Sequence, residues 1–230
     1  MKNGLSALIA AGLTLLVGGT ASAHISVDAT GTADATTVAT FGVGHGCEGF
    51  DTLSIEVKIP AGVTSVRPLF GGAFGKPVVN KDATGAVASV KWTKADVETA
   101  DTNYYPLQIR MKLPNTPFAT VFFPTTQVCR DPATNMTYTT EWAAQEINHS
   151  EDGPEPAPAM LILPAKGKGW NKFTTPVAIK DLAVFNDAQI VWAGNAAFSS
   201  NATTKDLIGK EPNTTVLSEI PANTEIWVKY

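Results

Sequence analysis

The side chains able to hold a metal ion are few in this chain, and its histidines are only His24, His45 and His149. His24 stands out because of what precedes it. Lys2 is the single charge of the first residues, Leu5 to Val17 form an apolar run broken only by small residues, and Gly18 to Ala23 ends in Ala21-Ser22-Ala23. That order is the pattern of a secretory signal peptide with an A-x-A cleavage site. The expected leader is 1–23, and the expected mature chain begins at His24. Its α-amine, with an ordinary pKa near ~7.7–8.0, must lose a proton to bind a metal at neutral pH. That amine and the Nδ1 of the same ring can close a chelate on one ion. A histidine in mid-chain cannot, because its backbone nitrogen is an amide. The rival explanation is that signal peptidase tolerates many residues after the cut and histidine stands there by chance.

Cys47 and Cys129 are the two cysteines. In an exported chain such a pair reads first as a disulfide, which here closes a long loop worth ~4 kcal/mol in the chain-entropy model. The other reading is a pair of thiolate ligands for Cu(I) or zinc, without the C-x-x-C spacing that supports such a site. His45 lies between glycines in Gly44-His45-Gly46-Cys47-Glu48-Gly49. It is either an accessible ligand or the exposed edge of a turn shaped by the disulfide. His149 opens an acidic, proline-rich stretch and reads as a solvated surface residue. Trp142 follows Glu141 at the end of a strand. It is either ordinary packing or a wall that keeps water from a neighbouring metal.

Composition narrows the partners. Loss of Lys2 with the leader takes Lys+Arg from 17 to 16 against 21 Asp+Glu, a formal charge of about −5. Nucleic acid is disfavoured, because phosphate binding needs clustered basic residues. No Ser-His-Asp, Cys-His or glycine-rich phosphate motif supports hydrolytic or nucleotide chemistry. The apolar run of the leader is shorter than the ~20 residues needed to span a bilayer, and no later segment suffices. The expected location is therefore periplasmic or otherwise extracytoplasmic, with no transmembrane segment after cleavage.

The elements that position these residues read as β. Strands are expected at Thr36–Val43, Leu53–Ile59, Val63–Leu69, Ala86–Trp92, Tyr105–Leu113, Phe118–Phe123 and Thr137–Trp142, separated by Pro, Gly, Asn and Asp. Short strands at that spacing, with no long amphipathic helix, predict an all-β fold, a β-sandwich of immunoglobulin-like type. Ser150 to Pro158 is expected to be extended and exposed, and Met160–Leu163 to be the last strand of a first domain spanning 24–164. Ala165 to Gly169 reads as a hinge. Beyond it, 165–230 is expected to form a small C-terminal domain or extension, with strands at Ile190–Trp192 and Glu225–Tyr230 and a short helix near Thr203–Gly209.

Several segments together resemble the YcnI-type copper-binding domain family. They are His24-Ile25-Ser26-Val27, Val43-Gly44-His45-Gly46-Cys47, Lys58-Ile59-Pro60-Ala61-Gly62-Val63, Lys112-Leu113-Pro114, Phe123-Pro124 followed by Cys129, the Trp142 strand and Glu155-Pro156-Ala157-Pro158. The resemblance covers His24 to Pro164. It implies an extracytoplasmic Cu(II) site on the N-terminal histidine, with a carboxylate and a tryptophan beside it. His24 and Trp142 match those positions. The carboxylate does not transfer, since relatives with a glutamate in the second strand would place it near Thr37, beside Thr36. Asp34, Glu48, Glu141 and Glu146 are the substitutes, and His45 is an alternative ligand. An amine, an imidazole and an oxygen form a donor set suited to tetragonal Cu(II), which also tops the divalent affinity order.

Three functions remain open on the sequence. The leading one is a non-catalytic protein that stores, buffers or transfers copper, with another copper-handling envelope protein as partner. The second is a metal-free envelope or adhesion module. The third is a copper polysaccharide monooxygenase, which needs a second histidine and a flat polar or aromatic face; no aromatic-rich face is evident in the sequence.

Overall fold

The computed structural model describes residues 24–99, 102–145 and 155–230. The expected leader, Glu146 and His149 lie outside the described residues. The regular elements of the described chain are almost all strands. In order, the first strands are β1 (Thr30–Thr32), β2 (Thr36–Val43), β3 (Thr52–Lys58), β4 (Thr64–Pro68), β5 (Val78–Lys81) and β6 (Val87–Thr93). β7 (Tyr105–Lys112), β8 (Thr120–Phe122), β9 (Thr125–Arg130), β10 (Thr137–Ala144), β11 (Glu155–Pro156) and β12 (Ala159–Leu163) follow. The remainder comprises β13 (Trp170–Thr174), β14 (Ile190–Ala193), β15 (Ala196–Phe198), helix α1 (Ala202–Lys210), β16 (Thr215–Val216) and β17 (Glu225–Lys229).

A six-stranded sheet in the order β11-β10-β9-β3-β6-β5 and a three-stranded sheet in the order β2-β7-β4 enclose the main core. The strands with clean alternation behave as their sequence dictates. On β7, Tyr105, Leu107, Ile109 and Met111 point inward, whereas Pro106, Gln108, Arg110 and Lys112 are more open to solvent, as the period of two requires. The rings of Phe41 and Phe123 meet edge to face across this core, 5.3 Å apart. At the edge of the core Lys94 is buried against the Asp51 carboxylate and donates to the Tyr105 hydroxyl at 2.8 Å. Burying an ammonium and a carboxylate costs desolvation that only close pairing of this kind offsets.

Of the strands that sequence reading passed over, one is central. β9 runs between β10 and β3, and the side chains it buries are Thr125, Gln127 and Cys129. Its inward face is polar, so the apolar alternation that marks a half-buried strand is absent. The Cys129 sulfur is bonded to that of Cys47, 82 positions away, with the Cα atoms 5.6 Å apart. The pair is a disulfide, and thiolate ligation by these cysteines is set aside.

A further small sheet, β1-β12-β8, closes one side of the main core with Val121, Met160 and Ile162. The residues after it build a separate five-stranded sheet, β13-β17-β14-β15-β16. Its inner face carries Val191, Ile226 and Val228 over Phe185 and Ile220. Phe118, expected to start a strand, instead turns with φ 65° and sends its ring into this second cluster, against Phe173 and Phe185. Asn201 caps α1 by accepting from the backbone N–H groups of Thr203 and Thr204, satisfying two of the donors a helix start leaves open. Among the described residues no helix is long and apolar enough to cross a membrane.

Candidate metal centre

His24 is positioned by backbone pairing of the residues after it. Ser26 and Gly42 form an antiparallel bridge, Ser26 N donating to Gly42 O at 3.1 Å and Gly42 N to Ser26 O at 2.9 Å. Gly42 lies close under the side chains of Tyr104 and Ser26. A Cβ at that position would lie 2.2 Å from the Tyr104 hydroxyl and 2.9 Å from Ser26 Oγ. Ile25 is buried in the main core, and the Asp28 carboxylate accepts from Thr40 N at 2.9 Å. The segment is thus stitched to β2, with the His24 ring at its end.

Two side chains meet that ring. Trp142 lies edge to face with it, 5.8 Å between centroids. Glu155 Oε2 is 3.7 Å from His24 Nδ1. Both neighbours come from one strand pair, because β10 and β11 run parallel with Trp142 opposite Glu155. β11 is anchored just after the acid: Ala157 N donates to Ala144 O at 2.9 Å, and Phe123 N to Pro158 O at 2.8 Å. Glu155 Oε2 is shielded from solvent, while the side chain as a whole is about one-third exposed.

The indole has its own support. Trp142 is buried, and its Nε1 donates to Gln127 Oε1 at 3.1 Å. The Gln127 amide nitrogen donates to His45 O at 2.8 Å and to Thr52 Oγ1 at 2.9 Å. One buried glutamine therefore joins the tryptophan to the His45 turn, and Cys47, two residues on, is fixed by the disulfide. That is why β9 has a polar inner face: Gln127 is satisfied by three groups, as a buried amide must be.

The residues proposed from sequence part into two groups. His24 and Trp142 are brought together. Glu141 neighbours Trp142 in sequence but sits on the other face of β10, where its carboxylate accepts from the Thr126 hydroxyl at 2.9 Å on an exposed surface. Glu48 is exposed at φ 53° in the turn closed by Phe50 N to Cys47 O. Asp34 pairs with Lys112 at 2.8 Å. His45 is exposed, and its Nδ1 contacts Gly46 O. Glu155 was not among the candidates, because Glu155-Pro156-Ala157-Pro158 reads locally as a loop. The one available signal was its place among the segments that carry the family resemblance.

The donors fit copper in type. Among the described residues no group of three His, Cys, Asp or Glu side chains can hold an ion by itself. A site here needs the amine of a chain beginning at His24 as its third donor. That amine and Nδ1 belong to one residue, and Nδ1 is the ring nitrogen nearer the buried carboxylate oxygen. Two nitrogens and one oxygen make the set preferred by Cu(II).

Comparisons with known proteins agree on family and fold. None of the curated proteins matches the chain in sequence. The solved structure of an uncharacterised protein from Nocardia farcinica, described as having an immunoglobulin-like fold, superposes with a TM-score of 0.51 at 22% identity, covering 61% of this chain and 98% of that one. It shows the fold alone: an immunoglobulin-like β-sandwich. Residues 24–162 match the family described as a domain of unknown function, DUF1775. The match begins at the histidine read as the mature terminus and takes in Trp142 and Glu155, and the chain belongs to that family, the YcnI-type copper-binding domains.

Proposed function

We propose that this chain is an exported, non-catalytic Cu(II)-binding protein that stores, buffers or hands on copper outside the cytoplasm. The ion is cargo, held by the His24 amine and Nδ1 with the Glu155 carboxylate beside them. The observation that carries the reading is the approach of Glu155 Oε2 to within 3.7 Å of His24 Nδ1. Trp142 borders the ring on another side and limits the water that reaches it. Export is supported by the A-x-A pattern before His24 and by the disulfide, a bond that persists in oxidising compartments.

The domain division belongs to the same proposal: 24–164 forms the copper-binding sandwich and 165–230 an appended unit. A separate sheet, a second buried cluster and the end of the family match at 162 support it. Phe118 is the sandwich's contribution to the appended core.

Titration of the mature protein with Cu(II), followed by electron paramagnetic resonance, tests the reading. One equivalent is expected to bind with a tetragonal nitrogen/oxygen spectrum, lost in His24→Ala. Incubation of the loaded protein with a reductant and chitin or cellulose is expected to give no oxidised products. Stoichiometric binding that survives His24→Ala, or oxidative turnover of either polymer, overturns it.

A further inference from the structure

Three of the chain's five tryptophans stand on one face of the C-terminal sheet. Trp227 on β17 is paired with Lys172 on β13 and with Trp192 on β14, while Trp170 is paired with Lys229. Directly paired residues share a face, as do residues two apart on a strand. Trp170, Trp192 and Trp227 therefore project together, away from the face on which Val191, Ile226 and Val228 fill the second core. Trp170 is 50% exposed and Trp227 43%. With Gly194 the three rings line an open cavity of about 420 Å³. The face was invisible in sequence, because its residues are 22 to 57 positions apart and meet only through sheet register.

The groups between the rings decide what this surface suits. Lys172 and Glu225 pair at 2.7 Å. Trp227 Nε1 donates to Glu225 Oε1 at 3.3 Å, and Lys172 Nζ lies 5.5 Å from the indole centroid. The Trp227 ring is thus flanked by one cation and one carboxylate. The core of a protein–protein interface is depleted of charged residues, whereas here Lys172, Glu225 and Lys229 alternate with the rings on the same face. Nucleic acid is disfavoured by the net negative chain.

We propose that this tryptophan face is a glycan-binding site that stacks the pyranose rings of an extended polysaccharide. A pyranose presents a flat patch of C–H groups to an indole and a rim of hydroxyls to fixed donors and acceptors, here the lysines and Glu225. Indoles lose little conformational entropy on binding, which suits them as rigid platforms. None of these residues belongs to the strands that bring His24, Trp142 and Glu155 together. The site stands apart from copper binding and gives the appended unit a role in holding the protein to an extracytoplasmic matrix.

The mature full-length protein is incubated with insoluble cellulose, chitin and peptidoglycan, and the bound fraction is measured after sedimentation. Retention on at least one polymer is expected, weakened about fivefold or more by Trp170→Ala or Trp227→Ala. Trp170→Tyr is expected to keep most of the binding, because a stacking ring remains. Cu(II) affinity is expected to be unchanged in these variants, and an unaltered far-UV circular dichroism spectrum and protease resistance report that the C-terminal sheet folds; should Trp227→Ala fail to fold, the half-exposed Trp170 carries the test. Retention on none of the three polymers, or retention untouched by Trp170→Ala, overturns the proposal. So does a solution dimer that Trp170→Ala dissociates, since that assigns the face to a second copy of the chain.

Discussion

Glu155 and Trp142 occupy paired positions on β11 and β10, so the carboxylate and the indole that meet His24 are set by a single strand register. The acid and the indole thus reach His24 from neighbouring strands, although the register shifts immediately after this pair. β11 is only two residues long. It is nonetheless held by the backbone bonds of Ala157 and Pro158 on its C-terminal side.

This pairing separates two glutamates that look equivalent in sequence. Glu155→Gln keeps the shape and removes the negative charge facing His24, and is expected to weaken Cu(II) binding by about tenfold or more. Glu141→Gln is expected to leave affinity unchanged, because that side chain lies on the other face of β10 with Thr126. Competition titration against a chelator of known affinity measures both; equal losses would contradict the assignment of Glu155.

The disulfide links strand β9 to the His45 turn. Replacing Cys47 and Cys129 together by alanine is expected to lower stability by about 4 kcal/mol, from the entropy of an unclosed loop. Urea unfolding followed by tryptophan emission checks this. Because Gln127 is two residues from Cys129 and bonded to Trp142, the reduced protein is also expected to shift its emission before global unfolding.

Legibility in the sequence followed the burial pattern. β3 and β7 alternate buried and more open residues and β2 is rich in β-branched ones, and the boundaries of all three are close to those read from the sequence. β9 could not be seen, because it buries Thr125, Gln127 and Cys129 and leaves no apolar period. The same polar face hid the support of Trp142. His24 stood out through the cleavage pattern before it, and the pairing of Cys47 with Cys129 through their number. Glu155 did not, since it meets His24 only where the β10–β11 pair packs against a segment more than 100 positions earlier in the chain. The tryptophan face is the same case, created by register alone.

The buried Lys94–Asp51 pair gives a sharper stability test. Lys94→Met removes the cation and leaves the Asp51 carboxylate in the interior, with Tyr105 and the Glu98 backbone N–H as remaining donors. A loss of about 3–5 kcal/mol is expected, as for other broken buried pairs. The double change Lys94→Met with Asp51→Leu is expected to recover part of it. Denaturant midpoints of the two variants provide the comparison.

Alkaline pH is expected to act through Tyr230. Burial, with the Asp187 carboxylate adding to it, pushes its hydroxyl up to about 12. In the unfolded chain the same group titrates near ~10. Between those values the folded state keeps a proton that the unfolded chain releases. Stability is therefore full below pH ~10 and is lost as the pH rises towards the folded value. Tyr230→Phe is expected to flatten the thermal-unfolding profile over that window and leave it unchanged at neutral pH.

The central claim is that copper is held by the mature N-terminus. Cu(II) binding by the protein beginning at His24 is to be compared with the same protein carrying one additional alanine before it. The extra residue preserves the imidazole, Glu155 and Trp142 but turns the His24 amine into an amide, which removes the chelate. The account predicts a large fall in affinity together with a changed electron paramagnetic resonance spectrum. Equal affinity and an identical spectrum in the two proteins would contradict it.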